Sequence, residues 1–575
     1  MMSIKRKLIY VMVLICTTAM LYGQFLWNPI VFDDSPFFMV NASGHQPVDD
    51  YRYSPLELRS LPYATLAWGK AAFGLDMLHF RIENLLLHAA VAVVLFFFLS
   101  RVFGAVGGSD CACGVGASAP YSHGLPLAGV SPTRPVESHG AVGLKPDLQT
   151  ASKLSPDTLA FCAALLFALH PVAVYAAGYL VQRTILMATL FSLLAMLAWL
   201  HGDERESKPW LWASAFFYYL AVFSKEHAIM LPAVLLALTV MLHSDWKEKF
   251  QRNWTVLLAM CGVALFVLFS KIGILGSVYE PGAPEMLAEP ESNLNYPLSV
   301  LTQTWLFFKY AALWLFPNPH WMSVDMREPF ATSLWSGYLA AFFAFLAWGA
   351  LAGWLLFKRG RLGLLGFALL FPWLMFLPEF STVRIQESFV LYRSYLWAAG
   401  ACAVLPLLLD RLDKHMAGVV IAAIALAMIP ISMDRLATFS HPLTLWDDAA
   451  KLLKQDAPLP GSARIYNNRG LERLELNQFT DARSDFEMAI RLNPNSPFAY
   501  TNLGALYLKV GQPEEAIRAF DMAIKIMQSS GRNLDSRPFL GKGKAYEAMG
   551  EMTAARRHYE MSCKIANKGC DKLVD

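Results

Sequence analysis

Charge is what this chain has least of. Only 16% of its 575 residues are Asp, Glu, Lys or Arg, against about 25% in soluble globular chains. That shortage excludes an ordinary soluble protein. The formal net charge of +3 says little about partners, among which no nucleic acid is expected. Cysteine is scarce, eight in all and none in a CxxC spacing, which removes the usual thiolate zinc site. Cys16, Cys162, Cys261 and Cys402 fall in apolar runs and read as small core residues. No internal symmetry relates the two halves of the apolar region, as an inverted-repeat transporter would require.

What is abundant is apolar surface. The chain is 55% hydrophobic with a mean hydropathy of +0.38. It reads as an all-α protein: a polytopic membrane domain over 1–442 and a soluble helical tail over 443–575. Lys5, Arg6 and Lys7 precede the first apolar run, 8–27. The positive-inside rule puts that end in the cytoplasm. Residues 28–78 then form a first external loop, whose aromatic part near 56–75 suits an interfacial helix. Further spans are expected at about 82–103, 158–175, 184–201, 209–224, 227–242, 254–275, 333–357, 362–377, 389–409 and 415–432. Counting 298–316 as well would put Lys358-Arg359-Gly360-Arg361 outside, against the same rule. That segment is therefore laid on the outer face or made re-entrant, which leaves eleven spans. Residues 104–157, rich in Gly, Ser, Pro and Ala, read as a disordered cytoplasmic insertion.

The tail repeats. Gly470, Ala482, Phe486 and Ala489 recur 34 residues on as Gly504, Ala516, Phe520 and Ala523. Gly543, Tyr546, Ala555 and Tyr559 make a third copy after 39 residues. This spacing is the tetratricopeptide (TPR) signature, about three repeats stacked as helix pairs around a groove. Cys563 and Cys570 lie near its end, and an external tail would allow them to pair.

Ionisable groups at membrane depth are functional hypotheses. The expected topology gathers Asp33, Asp34, Arg52, Arg59, His170, Arg183, Lys225, Glu226, Asp325, Glu387 and Arg393 on the external side. The adjacent carboxylates Asp33 and Asp34, where the first span surfaces, suit a general base. Successive side chains of an extended segment point apart, so one of the two is expected to be the base and the other to bind backbone, a cation or a neighbouring Arg. Arg59, Arg183, Lys225 and Arg393 suit an anionic phosphate, with His170, Glu226 and Asp325 in support. A carboxylate pair could also hold a divalent cation, though nothing in the sequence demands a metal.

A resemblance joins these residues. The stretch His79-Phe80-Arg81-Ile82-Glu83-Asn84-Leu85-Leu86-Leu87-His88 is followed by Leu166-Phe167-Ala168-Leu169-His170-Pro171-Val172 and by Tyr179-Leu180-Val181-Gln182-Arg183. Then come Ser224-Lys225-Glu226, His320-Trp321-Met322-Ser323-Val324-Asp325 and Tyr392-Arg393-Ser394-Tyr395-Leu396. In this order, ahead of the repeats, they resemble the TMTC-type membrane-plus-TPR O-mannosyltransferases and their bacterial relatives, within the GT-C glycosyltransferases. Tyr175 and Leu391 stand where that family often has Glu. The resemblance implies a polyprenyl-phosphate-linked sugar donor and a protein hydroxyl acceptor, with transfer on the external face of a bacterial inner membrane. It also implies the base role for Asp33, and the tail, periplasmic in this topology, would hold the acceptor protein in its groove. Two rival classes share the composition. One is a non-catalytic membrane-anchored TPR scaffold, which would need one span rather than eleven. The other is a lipid-linked glycan ligase or transporter.

Overall fold

The computed structural model describes residues 4–39, 47–112, 154–275, 279–280, 287, 292–453, 459–530, 534–566 and 568–573. Among them every regular element is helical, and extended backbone pairs only in two isolated bridges, Tyr279 with Val383 and Met326 with Phe389.

Among the described residues, eight helical stretches are long and apolar enough to cross a bilayer: Ile4–Phe25, Met77–Gly107, Leu180–Glu204, Trp246–Ser270, Tyr338–Phe357, Gly360–Ser381, Leu391–Leu409 and Lys414–Thr438. A ninth is broken: Pro156–Leu169 and Pro171–Ala177 meet at 54°. The break follows from Pro171, whose ring drives the preceding residue out of the helical region; His170 is extended, at φ −67° and ψ 132°. These nine coincide with nine of the eleven expected spans. The remaining two expected spans fall in Lys208–Ser224, 17 residues, and in Glu226–Leu242, which is no longer. At 1.5 Å per residue, about 25 Å, both are shorter than the roughly 30 Å hydrocarbon layer.

Helix Asn295–Leu315 does not enter that count. It turns Asn295, Ser299, Thr302, Gln303 and Thr304 inward and uses them to hold loops. The Ser299 hydroxyl accepts from the Arg384 N–H (2.9 Å), Thr302 accepts from the Ala331 N–H (2.9 Å), and the Gln303 amide donates to the Ser388 carbonyl (3.0 Å).

The expected insertion is also shorter at its start. Helix Met77–Ala112 carries on through 104–112, and Val102, Phe103 and Val106 are buried along it. At the other side Ser155 caps helix Pro156–Leu169 by accepting from the Thr158 N–H. Residues 113–153 lie outside the described residues. Of the four cysteines read as core, Cys162 is buried and Cys402 half-buried, but Cys16 and Cys261 are exposed. Their helices bury only 28% of their apolar window and turn the rest outward.

The tail contains three helix pairs: Ser462–Glu475 with Phe479–Leu492, Pro497–Lys509 with Pro513–Ser529, and Ser536–Ala548 with Met552–Ala566. Each pair crosses where a glycine meets an aromatic ring. A Cβ on Gly470, Gly504 or Gly543 would come within 2.8, 2.6 or 2.5 Å of Phe486, Phe520 or Tyr559. Phe486 and Phe520 are fully buried. Leu492 ends its helix two residues before Pro494, whereas the second copy has Gln528 in that place and its helix runs on to Ser529. The longer helix takes up part of the extra spacing. Cys563 and Cys570 form a disulfide. The front of the tail is not free-standing. Helix Pro442–Lys451 packs back on the membrane domain, where Trp446, Ala449 and Ile465 share a small core with Phe32 and Val324.

Candidate functional site

The Phe32-Asp33-Asp34 stretch forms a 3-10 turn. It starts from a left-handed residue, Phe32 at φ +51°, a conformation that costs a non-glycine residue roughly 1–3 kcal/mol. Asp34 is fully buried, and both its oxygens accept backbone N–H groups, from Leu180 (3.2 Å) and Val181 (2.8 Å). It therefore ties the first loop to the start of the 3-10 turn Leu180–Gln182. The Asp33 side chain lies outside the described part of the molecule.

The residues of the 79–88 motif lock this joint. The Arg81 guanidinium donates to the carbonyls of Asn28 (2.8 Å), Pro29 and Gly178 (3.1 Å). Asn84 donates to the carbonyls of Tyr179 and Leu180, both at 3.3 Å. Arg183 belongs here as well. It pairs with Glu83 at 2.7 Å and donates to Asn84 (2.8 Å), Thr65 (3.2 Å) and the Phe80 carbonyl (3.2 Å). The structure thus does not bring Arg183 to the other three expected phosphate ligands. A guanidinium has five donors, and four of them are taken up by Glu83, Asn84, Thr65 and the Phe80 carbonyl.

The other three do converge. Arg59 is left-handed at φ +63° and donates its N–H to the Phe223 carbonyl at 2.7 Å. Its guanidinium grips Glu226 with two bonds, 2.5 and 3.1 Å. Glu226 raises the basicity of Arg59, against the opposing effect of burial. Arg393 bonds Glu379 (3.1 Å) and Glu387 (2.7 Å). Glu379 is further satisfied by Arg384 (2.8 Å) and His227 (2.7 Å). Between the two arginines lies Lys225, only 5% exposed, with its ammonium 5.4 Å from the Tyr392 ring centre. Among the described residues no carboxylate lies within ion-pairing distance of it. Burial, aided by the positive charge of Arg59, lowers its pKa to about 7.

These elements meet at a narrow cleft. Phe32, Tyr175, Tyr179 and Asp325 line it together with Glu387 and Tyr392. In this state its walls stand close, leaving about 20 Å³, room for about one water. Asp325 is held by Arg327 (2.6 Å) and by Arg464 of the first repeat helix (2.8 Å). Burial alone would raise its pKa, but the two guanidinium groups outweigh that and keep it a carboxylate. Glu387 is likewise kept ionised against burial, chiefly by Arg393. His170 stands apart. Its Nδ1 accepts from the Val172 N–H at 3.2 Å and its ring stacks on Trp314 at 4.2 Å, so it shapes the broken span. Among the described residues no three carboxylate, imidazole or thiol groups converge as a metal site would need.

Residues 470–511 match the TPR repeat model and residues 496–568 match a second, described as tetratricopeptide repeat. The tail is a tetratricopeptide repeat array. Over 349 residues, 59% of its length, the chain is 24% identical to a protein O-mannosyl-transferase of Caenorhabditis elegans. The match spans 46% of that relative, so the chain spans about half the length of the protein it matches. The crystal structure of MamA protein aligns at 20% identity over 29% of this chain and 91% of that one, with a TM-score of 0.19.

Several groups in this site are ones that sequence reasoning did not single out: Glu379, Arg384, His227, Arg327 and Arg464, with Glu280. Glu280 accepts the N–H groups of Ile385 (2.6 Å), Gln386 and Glu387 (3.0 Å) and so shapes the cleft wall. Arg384 and Glu379 could have been found as charges directly following an apolar run. Arg464 carried no such signal, since it lies in the polar tail.

Proposed function

We propose that the protein transfers a sugar from a polyprenyl-phosphate-linked donor to a Ser or Thr hydroxyl of a protein, at the external, periplasmic face of a bacterial inner membrane. The observation that carries this reading is Lys225. It is a buried cation without a carboxylate partner among the described residues, set between two arginines that are already neutralised, beside a cleft walled by aromatic rings and carboxylates. A buried charge calls for a counter-ion, and a donor phosphate at headgroup depth supplies one. The similarity to an O-mannosyl-transferase supports the same reading and favours a hexose. The Cys563–Cys570 disulfide is compatible with a tail in an oxidising compartment.

In the transfer, the acceptor oxygen bonds to the anomeric carbon as the bond from that carbon to the phosphate oxygen breaks. The acceptor proton passes to a carboxylate, for which Asp33 is the proposed base, since both oxygens of Asp34 are engaged by backbone. Lys225 meets the charge that grows on the departing phosphate. Arg59 and Arg393 stand on either side, fixed by their carboxylates, and extend the positive field. The cleft walls part to admit the sugar, as substrate-induced closures commonly require. The TPR groove holds the acceptor. Turnover of polyprenyl-phosphate mannose in membranes with and without the protein tests this reading. Equal turnover in both would refute it.

A further inference from the structure

The membrane domain does not build the cleft alone. Arg464, in the first turn of helix Ser462–Glu475, reaches out of the repeat array to Asp325 at 2.8 Å. Its guanidinium also lies 5.5 Å from the centre of the Phe32 ring. Trp446, from the helix that leads into the repeats, packs edge-on against the same ring at 4.9 Å. Phe32 is the left-handed residue immediately before Asp33. Two residues of the tail thus clamp the one strained residue of the turn that carries the proposed base. The approach is close by design of the backbone: Gly461, at φ +81°, sits where a Cβ would lie 2.0 Å from Arg327 Nη1. Arg327 in turn holds Asp325 and donates to the Gln386 carbonyl at 2.8 Å.

We propose that the first repeat helix is a structural part of the transfer centre and that Arg464 is a positioning residue for it, holding Asp325 and the Phe32–Asp34 turn in register. Arg464, Asp325 and Phe32 line the cleft together with the 386–392 segment, to which the Arg327–Gln386 bond and the Met326–Phe389 bridge tie the 325–327 stretch. The repeat array then does two things: its groove takes the acceptor, and its first helix keeps the base aligned. This inference rests on the transferase reading, but its structural core does not.

The experiment uses the full chain in lipid nanodiscs, with polyprenyl-phosphate mannose as donor and either water or a short Ser/Thr peptide as acceptor. Arg464→Gln is expected to lower kcat with both acceptors alike, by at least about tenfold, since misplacing a group by 1 Å can cost 10²-fold. The donor KM should stay within about twofold, because Arg464 holds no donor phosphate in this account. Arg464→Lys should recover part of the loss, by keeping the charge on Asp325 without the flat face on Phe32. Unchanged kcat, or a loss confined to the peptide acceptor, would overturn the positioning role and leave Arg464 a docking contact. A second readout needs no turnover. In an Asp33→Cys background, Arg464→Gln should speed maleimide labelling at least about fivefold, as the turn is released to local opening. An unchanged labelling rate would overturn the clamp. A wild-type protein that turns over no donor would remove the transferase reading only, and the labelling result would still decide the clamp.

Discussion

Lys225 extends its ammonium over the face of Tyr392, 5.4 Å from the ring centre, while the nearby acids Glu226 and Glu387 are each bonded to an arginine. A cation on an aromatic face is weakly attracted, but the contact does not replace an anion. Replacing Lys225 with Met should therefore raise the donor KM by about 10- to 100-fold, the loss of one charge-assisted hydrogen bond of about 1.5–3 kcal/mol. Steady-state kinetics against donor concentration would show it, and an unchanged KM would remove Lys225 from the phosphate site.

The same lysine sets a pH dependence. Burial lowers its pKa to about 7, so the charged form is present below that pH and is lost as pH rises through it. The donor KM should be flat below about pH 7 and climb above it. Lys225→Arg, whose side chain does not deprotonate in a protein, should flatten that climb. A wild-type profile without the climb would contradict the assignment.

Arg183 separates a structural role from a catalytic one. It is almost wholly buried and pairs with Glu83. Arg183→Ala should leave the buried Asn84 oxygen and the Phe80 carbonyl without their donor, a loss of about 1–3 kcal/mol for each buried acceptor left unsatisfied. The expected result is reduced folded protein in the membrane, with an unchanged donor KM in the fraction that folds. A raised KM in a normally folded variant would return Arg183 to the donor site.

Much of this architecture was legible in the sequence. The 34-residue recurrence of Gly470 and Phe486 at Gly504 and Phe520 reports a local packing rule, that a ring must fit against a bare backbone, and such rules survive without tertiary knowledge. Lys225, Arg59 and Arg393 stood out because charge is rare in apolar surroundings. What was not legible depended on partners distant in sequence. Nothing near Arg183 says that Glu83 and Asn84, a hundred residues earlier, would take its donors. Nothing near Arg464 says that its partner would be Asp325. Lys208–Ser224 and Glu226–Leu242 fall within a residue of the expected 209–224 and 227–242, because the polar residues around Ser207 and Lys225 mark their ends in the sequence.

The tail offers a test of stability rather than chemistry. Phe486 and Phe520 are buried against their glycines. Changing either to Ala should cost about 3–5 kcal/mol, seen as a lower unfolding temperature of the repeat helices in the intact chain. A shift within error would mean that the crossing collapses around the smaller side chain.

The central claim is that Asp33 takes the acceptor proton at this cleft. The most direct measurement is single-turnover transfer of mannose from its polyprenyl phosphate to a Ser/Thr peptide, by wild type, Asp33→Asn and Asp34→Asn, each confirmed folded and donor-bound. The account predicts a loss of about 100-fold or more for Asp33→Asn, the upper range of general-base catalysis, and for Asp34→Asn a loss in thermal stability that exceeds its loss in rate. Full transfer by Asp33→Asn would contradict it.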